Sequence, residues 1–140
     1  MNIDNTFSKT VDLLHRTMSA ESLRRNVYAH NLANAASTGF KRTEVTFESE
    51  LGRALDTERR KPALKLTQTH PDHISNWQPR DYQEVQPRRV LDWETQVNNN
   101  GNNVDIEQEV SLLMKNQMRY ALLAQMTSFE FNQVSLVLRG

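Results

Sequence analysis

What most restricts the folds open to this 140-residue chain is where its helix breakers fall. All four prolines (Pro62, Pro71, Pro79, Pro87) lie between 62 and 87. Three of the four glycines (Gly39, Gly52, Gly101) lie between 39 and 101, and the fourth, Gly140, is the last residue. Proline removes an amide donor and clashes with the preceding turn, while glycine costs backbone entropy, so both punctuate helices. Two long ends remain free of them. The chain therefore divides into an N-terminal helical segment 1–38, a middle segment 39–103 and a C-terminal helical segment 104–140, the two ends forming one structural unit.

In the N-terminal segment, Phe7, Val11, Leu14, Met18, Ser22, Ala29, Leu32 and Ala36 recur at steps of three and four, with Arg25 in the same row. This spacing predicts a helix over 7–36 with a heptad-like seam and one charged interruption. Thr6 or Ser8 is the expected N-cap. The C-terminal segment is more regular: Ile106, Val110, Leu113, Gln117, Tyr120, Ala124, Thr127, Phe131, Val134 and Leu138 predict a helix over 106–138. Asp105 is its natural N-cap, with Gln108 three residues on as in a capping box, and Glu107 and Glu109 face the positive end of the helix dipole.

A second apolar row (Met114, Met118, Ala121, Leu122, Phe129 and Leu136) runs beside the first. An apolar arc this wide wants several neighbours, more than one helix of the same chain can offer. Composition agrees. Only 37% of residues are hydrophobic, yet the charge is balanced at 17 basic and 17 acidic residues, unlike a strongly disordered chain. Residues 39–103 hold ten charges of each sign, leaving the ends weakly charged, as surfaces that become buried should be. The expected fold is mainly α: two long terminal helices paired as an antiparallel coiled-coil-like hairpin, with a short irregular, β-containing middle.

That middle is harder to read. "TEVTFESEL" (43–51) reads as a short strand or as the start of a helix to Leu55, and "ALKLTQT" (63–69) alternates like a strand at Leu64 and Leu66. "NNNGNN" (98–103) reads as a flexible turn.

The residues that could carry chemistry do not assemble into a site. His70-Pro71-Asp72-His73 is the one cluster resembling a metal or acid-base centre, but its proline forbids helical i, i+4 ligation and no further Cys or His lies nearby. A turn whose histidines bond to backbone is the plainer account. Gly39 stands alone, so "STGFK" is not a phosphate-binding loop. The basic pairs Arg59-Arg60 and Arg88-Arg89 sit beside Glu58, Glu84 and Asp92, as solvated salt-bridged surface does, and zero net charge argues against nucleic acid. No catalytic arrangement is present, and no metal or cofactor is expected. There is no cysteine, which fits either redox compartment. The start "MNIDNTFSKTVDLLHRTMSA" lacks the basic and unbroken apolar stretches of a cleaved secretory signal, and no run reaches the ~18 apolar residues of a membrane helix.

Two motifs, taken together, carry a resemblance. "NLANAASTGFKR" (31–42) and "GNNVDIEQEVSLLMKNQMRYALLAQMTSFEFNQVSLVLRG" (101–140) resemble the entry and terminal-helix signatures of the bacterial flagellar axial and rod proteins. Here Ala36 stands where the family often has Asn or Asp, and Thr38 where it often has proline. Short length and the middle "LKLTQTHPDHIS" are similar to one proximal member; the rod protein FlgC is alike in size but has a more glycine-rich, apolar middle. The resemblance implies a non-enzymatic structural subunit of the flagellar rod, the periplasmic drive shaft of the basal body. It implies export through the flagellar type III apparatus without a cleaved signal, and no membrane span. Implied partners are other copies of the chain, companion rod proteins of the FlgC and FlgF types, the rod-base adaptor FliE and the membrane-ring protein FliF. A helical adaptor or export chaperone could share amphipathic ends, but it has no reason to carry both signatures. On this reading the assembly interface comprises Val11, Leu14, Met18, Asn31, Leu32, Asn34, Gly39, Phe40, Ile106, Val110, Leu113, Tyr120, Ala124, Phe131, Val134 and Leu138. Gly39 ends the first helix in a left-handed turn, Phe40 folds back on it, and Asn31 and Asn34 hydrogen-bond across an interface.

Overall fold

The computed structural model describes residues 3–59, 69–70, 72, 80–95 and 101–139. Its elements are α1 (Ile3–Ala33), β1 (Thr43–Thr46), α2 (Glu48–Arg59), a 3₁₀ turn (Tyr82–Glu84), β2 (Arg88–Leu91) and α3 (Ile106–Arg139). β1 and β2 form a two-stranded sheet. The expected strand over 63–69 lies outside the described residues, apart from Thr69.

The chain forms two compact units, 1–45 with 89–140, and 46–88. The first is built on α1 and α3. Phe7 packs edge-on against Phe131, with ring centroids 5.8 Å apart. Glu21 meets Asn116 and Asn31 meets Glu109, so position falls along α3 as it rises along α1. The two helices are antiparallel neighbours, as the paired seams require.

Helix boundaries differ from the spacing at one end. α1 begins at Ile3, passing through both expected caps, and the Thr10 hydroxyl donates to the Thr6 carbonyl at 2.9 Å. It closes at Ala33 instead of 36, because its last turns tighten into i→i−3 bonds: Ala35 N–H to Leu32 O and Ser37 N–H to Asn34 O. Gly39 then takes φ +71°, and the Phe40 ring returns to within 5.5 Å of His30. α3 starts as expected, with Asp105 Oδ1 accepting from the amides of Glu107 (2.9 Å) and Gln108 (3.2 Å).

The seam itself is shifted. Beyond Met18 the buried positions of α1 are Ala20, Glu21, Arg24, Val27 and Asn31, while Ser22, Arg25 and Ala29 are exposed. On α3 the buried residues are Glu109 and Asn116, and Gln117, Tyr120 and Ala124 of the expected row face outward. Glu21, Arg24, Asn31, Glu109 and Asn116 enter the interior beside Ala20 and Val27 because their hydrogen bonds are satisfied there.

The second unit has a small core of Phe47, Leu51, Ala54, Tyr82 and Val85. Burying a ring such as Phe47 stabilises by about 1.5–3 kcal/mol. "TEVTFESEL" resolves into both readings in succession, strand β1 and then helix α2, which runs past Leu55 to Arg59. Asp81 caps the 3₁₀ turn by accepting from Gln83 N–H at 2.8 Å, and Thr57 Oγ1 accepts from the amide of Arg80 at 3.1 Å.

Two glycines respond oppositely to alanine. Gly39 has open space around its Cβ direction but a left-handed backbone, so Gly39→Ala should destabilise by about 1 kcal/mol. Gly52 sits within α2, and nothing lies within 4 Å of the point a Cβ would occupy, so Gly52→Ala should stabilise by about 0.5–1 kcal/mol. Urea denaturation of the two variants checks the difference in sign.

Candidate assembly surface and the polar centre behind it

The stretch 31–42 folds around a buried polar centre. Asn31, fully buried at the C-terminal end of α1, reads the following chain as a backbone mimic: its Nδ2 donates to Thr43 O at 2.8 Å and its Oδ1 accepts from Thr43 N–H at 3.0 Å. The same Nδ2 reaches Glu109 Oε2 in the first turn of α3, at 3.1 Å. Glu109 Oε1 accepts from Arg42 Nε, and Arg42 Nη1 pairs with Glu44. Glu109 is 1% exposed, so its charge is tolerated only because both oxygens are held. Burial pulls the Arg42 pKa down, but hydrogen bonds to Glu109 and Glu44 outweigh it and raise the guanidinium above its ordinary value.

Asn102 and Asn103, expected in a flexible turn, are instead buried. Asn102 Nδ2 donates to Ala35 O (2.7 Å) and Ser37 O (3.0 Å), carbonyls left over where α1 ends, while its Oδ1 accepts from Val104 N–H. Asn103 Oδ1 accepts from Arg42 N–H at 2.6 Å and its Nδ2 donates to Asp92 O at 2.8 Å. Gly101 makes the approach possible with φ +79°; a Cβ there would stand 3.9 Å from the Gly39 Cα. Asp92 in turn accepts from the Thr95 hydroxyl and amide, which hold its carboxyl below the usual range.

A second polar layer lies further along the helix pair. Asn116 Nδ2 donates to Glu21 O at 3.0 Å and to the Glu21 carboxylate, whose other oxygen pairs with Arg24 at 2.7 Å. Tyr28 sits beside it, its pKa raised by burial.

The expected assembly residues fall into three groups. Val11, Leu14, Met18, Leu32, Val110, Leu113 and Val134 are half-buried along the helix pair, as is Phe40 against His30. Ile106, Tyr120, Ala124, Phe131 and Leu138 are exposed, and Gly39 lies on an exposed turn. Asn31 and Asn34, expected to bond across an interface, spend their amides inside the chain, Asn34 on its own helix at His30 O.

The outward side of α3 is apolar to an unusual degree. Met114, Met118, Leu122, Met126, Phe129 and Leu136 are exposed, Met118 by 73% and Leu136 by 69%. Near the free ends of the pair, Thr6, Phe7, Thr10, Gln133, Val134 and Val137 line a groove of about 520 Å³. Contiguous exposed apolar surfaces of this kind mark interaction sites. Among the described residues no group of three His, Cys, Asp or Glu could hold a metal ion, and no helix is long and apolar enough to cross a membrane. At the His70 turn, Asp72 N–H donates to His70 Nδ1 at 3.3 Å; His73 lies outside the described residues.

No family profile matches the chain. Among curated proteins it is 41% identical to the flagellar basal body rod protein FlgB of Borreliella burgdorferi over 135 residues, covering 96% of this chain and 99% of that one. The FlgB of Borrelia hermsii is 39% identical over the same shares, and that of Bacillus subtilis 29% identical over 96% of each chain.

The polar centre makes an unequal prediction for the two partners of Arg42. Glu109→Ala strands a buried guanidinium and should cost about 3–5 kcal/mol, whereas Glu44→Ala, removing a half-exposed partner, should cost under about 1 kcal/mol. Chemical denaturation of the two variants measures both losses.

Proposed function

Because the chain belongs to the FlgB family of flagellar basal body rod proteins, we propose that it is a structural subunit of the proximal rod, assembling helically and transmitting torque from the membrane ring towards the distal rod. The observation that carries this is identity running across 96% of the chain to proteins of that name, so both terminal helices and the middle are covered together. All three relatives bear the FlgB name, which favours it over FlgC. The role is structural and not catalytic.

The mechanism follows from the exposed face of α3. A lone subunit presents methionine, leucine and phenylalanine side chains to water along most of a helix about 50 Å long. In a tube of subunits the same side chains meet neighbouring helices, and close packing resists deformation under load. Ile106, Tyr120, Ala124, Phe131 and Leu138 serve on this reading as contacts between subunits. On this reading the segments 1–38 and 104–140 form the assembly unit, and 39–103 is the middle segment between them. Neighbours are other copies, rod proteins of the FlgC and FlgF types, the rod-base adaptor FliE and the membrane-ring protein FliF. Passage through the flagellar type III export apparatus belongs to the same reading.

Ala124→Asp or Phe131→Asp should block rod assembly, since an unpaired carboxylate in a closed interface costs on the order of several kcal/mol in every subunit. Loss of the protein from purified basal bodies, together with loss of motility, is the expected result. Complete rods built from either variant would overturn the reading.

A further inference from the structure

Two helices with apolar residues at heptad-like spacing can pair at more than one height, because a slide of seven residues carries each seam onto itself. Apolar contacts alone do not choose among these registers. Between α1 and α3 the polar layers do. One consists of Glu21, Arg24 and Asn116, at 3%, 6% and 3% exposure; the other of Asn31, Arg42 and Glu109, at 0%, 8% and 1%.

Glu109 and Asn116 stand one heptad apart on α3, and that spacing penalises a slip in either direction. A slide one way carries Glu109 to the level now held by Asn116, so two carboxylates, Glu109 and Glu21, would face each other without water. The opposite slide sets Leu123 against Glu21 and takes Glu109 away from Asn31 and Arg42. Each wrong register buries a charge without its partner. In the observed register every buried side-chain nitrogen and oxygen among the described residues has a partner.

We propose that these two layers are register pins: Glu21, Asn116, Arg42 and Glu109 determine the height of α3 against α1. They thereby set the height at which Met118, Leu122 and Phe129 are offered to the next subunit. The register follows from contacts within one unit of the chain; only its consequence for assembly rests on the rod reading. Isosteric apolar replacement of the pins should leave the helices paired while removing the choice of register.

The chain contains no cysteine, so introduced pairs report register directly. Phe7→Cys with Phe131→Cys reads the observed register, the two rings lying 5.8 Å apart. Phe7→Cys with Ala124→Cys, or with Leu138→Cys, reads a slip of one heptad to either side. Each pair is oxidised in purified full-length chain, in the natural background and in a five-fold variant (Glu21→Leu, Arg24→Met, Asn116→Leu, Arg42→Met, Glu109→Leu) that retains Asn31 to hold Thr43. Circular dichroism is read on the same samples. The expected result is disulfide formation at Phe7/Phe131 alone in the natural background, with slipped pairs joining it in a variant of unchanged helix content. Three outcomes overturn the proposal: slipped pairs forming in the natural background, the variant keeping the single register, or the variant losing its helices. The last would make the layers supports of the fold and not selectors of register. None of these touches the rod reading, which fails separately if the natural chain is absent from purified basal bodies.

Discussion

The Glu109 carboxylate has almost no access to water, and its two oxygens are held by different parts of the chain. Asn31, at the end of α1, takes one; Arg42, in the segment leading into β1, takes the other. Three segments distant in sequence must therefore arrive together, or a charge is buried alone. Around this point Asn103 accepts from the Arg42 amide, and Asn102 satisfies the carbonyls where α1 ends. The chain's exit from one long helix and its entry into the other are thereby tied into a single polar junction. Such a junction adds little net stability compared with a well-packed apolar one, but it punishes every arrangement that separates its members.

α3 turns half-buried Val110, Leu113 and Val134 towards α1, around two buried polar side chains. Its buried residues are Glu109 and Asn116, while Met114, Met118, Leu122, Phe129 and Leu136 face solvent. On the proposed function the exposed apolar surface meets other chains, while the polar layers belong to the pairing with α1.

Periodicity and capping chemistry made the architecture legible. The break-free ends gave both helices, and Asp105 marked the start of α3, because a short carboxylate ahead of an apolar repeat has one good use. The register of the seam was not legible beyond Met18. Glu21, Arg24, Asn31 and Asn116 belong to the interior only because they complete one another, and a linear sequence shows half of each pair at a time. Asn102 and Asn103 read as turn residues for sound reasons, yet they lie buried, since the Ala35 and Ser37 carbonyls that Asn102 satisfies and the Arg42 amide that Asn103 accepts from come from more than sixty residues earlier. A position such as Arg42 could have been suspected from its place directly after the Gly39-Phe40 turn, but its acid partner could not.

On the proposed function, the exposed apolar face of α3 is covered by other chains in the rod. Maleimide labelling of Met118→Cys and Leu136→Cys tests it most directly, compared between the purified subunit and intact basal bodies, with both variants first shown to support motility. Rapid labelling of both positions in the free subunit and strong protection of both in the assembled rod are the expected result. Equal labelling in the two states would mean that this face stays open to water after assembly, and would contradict it.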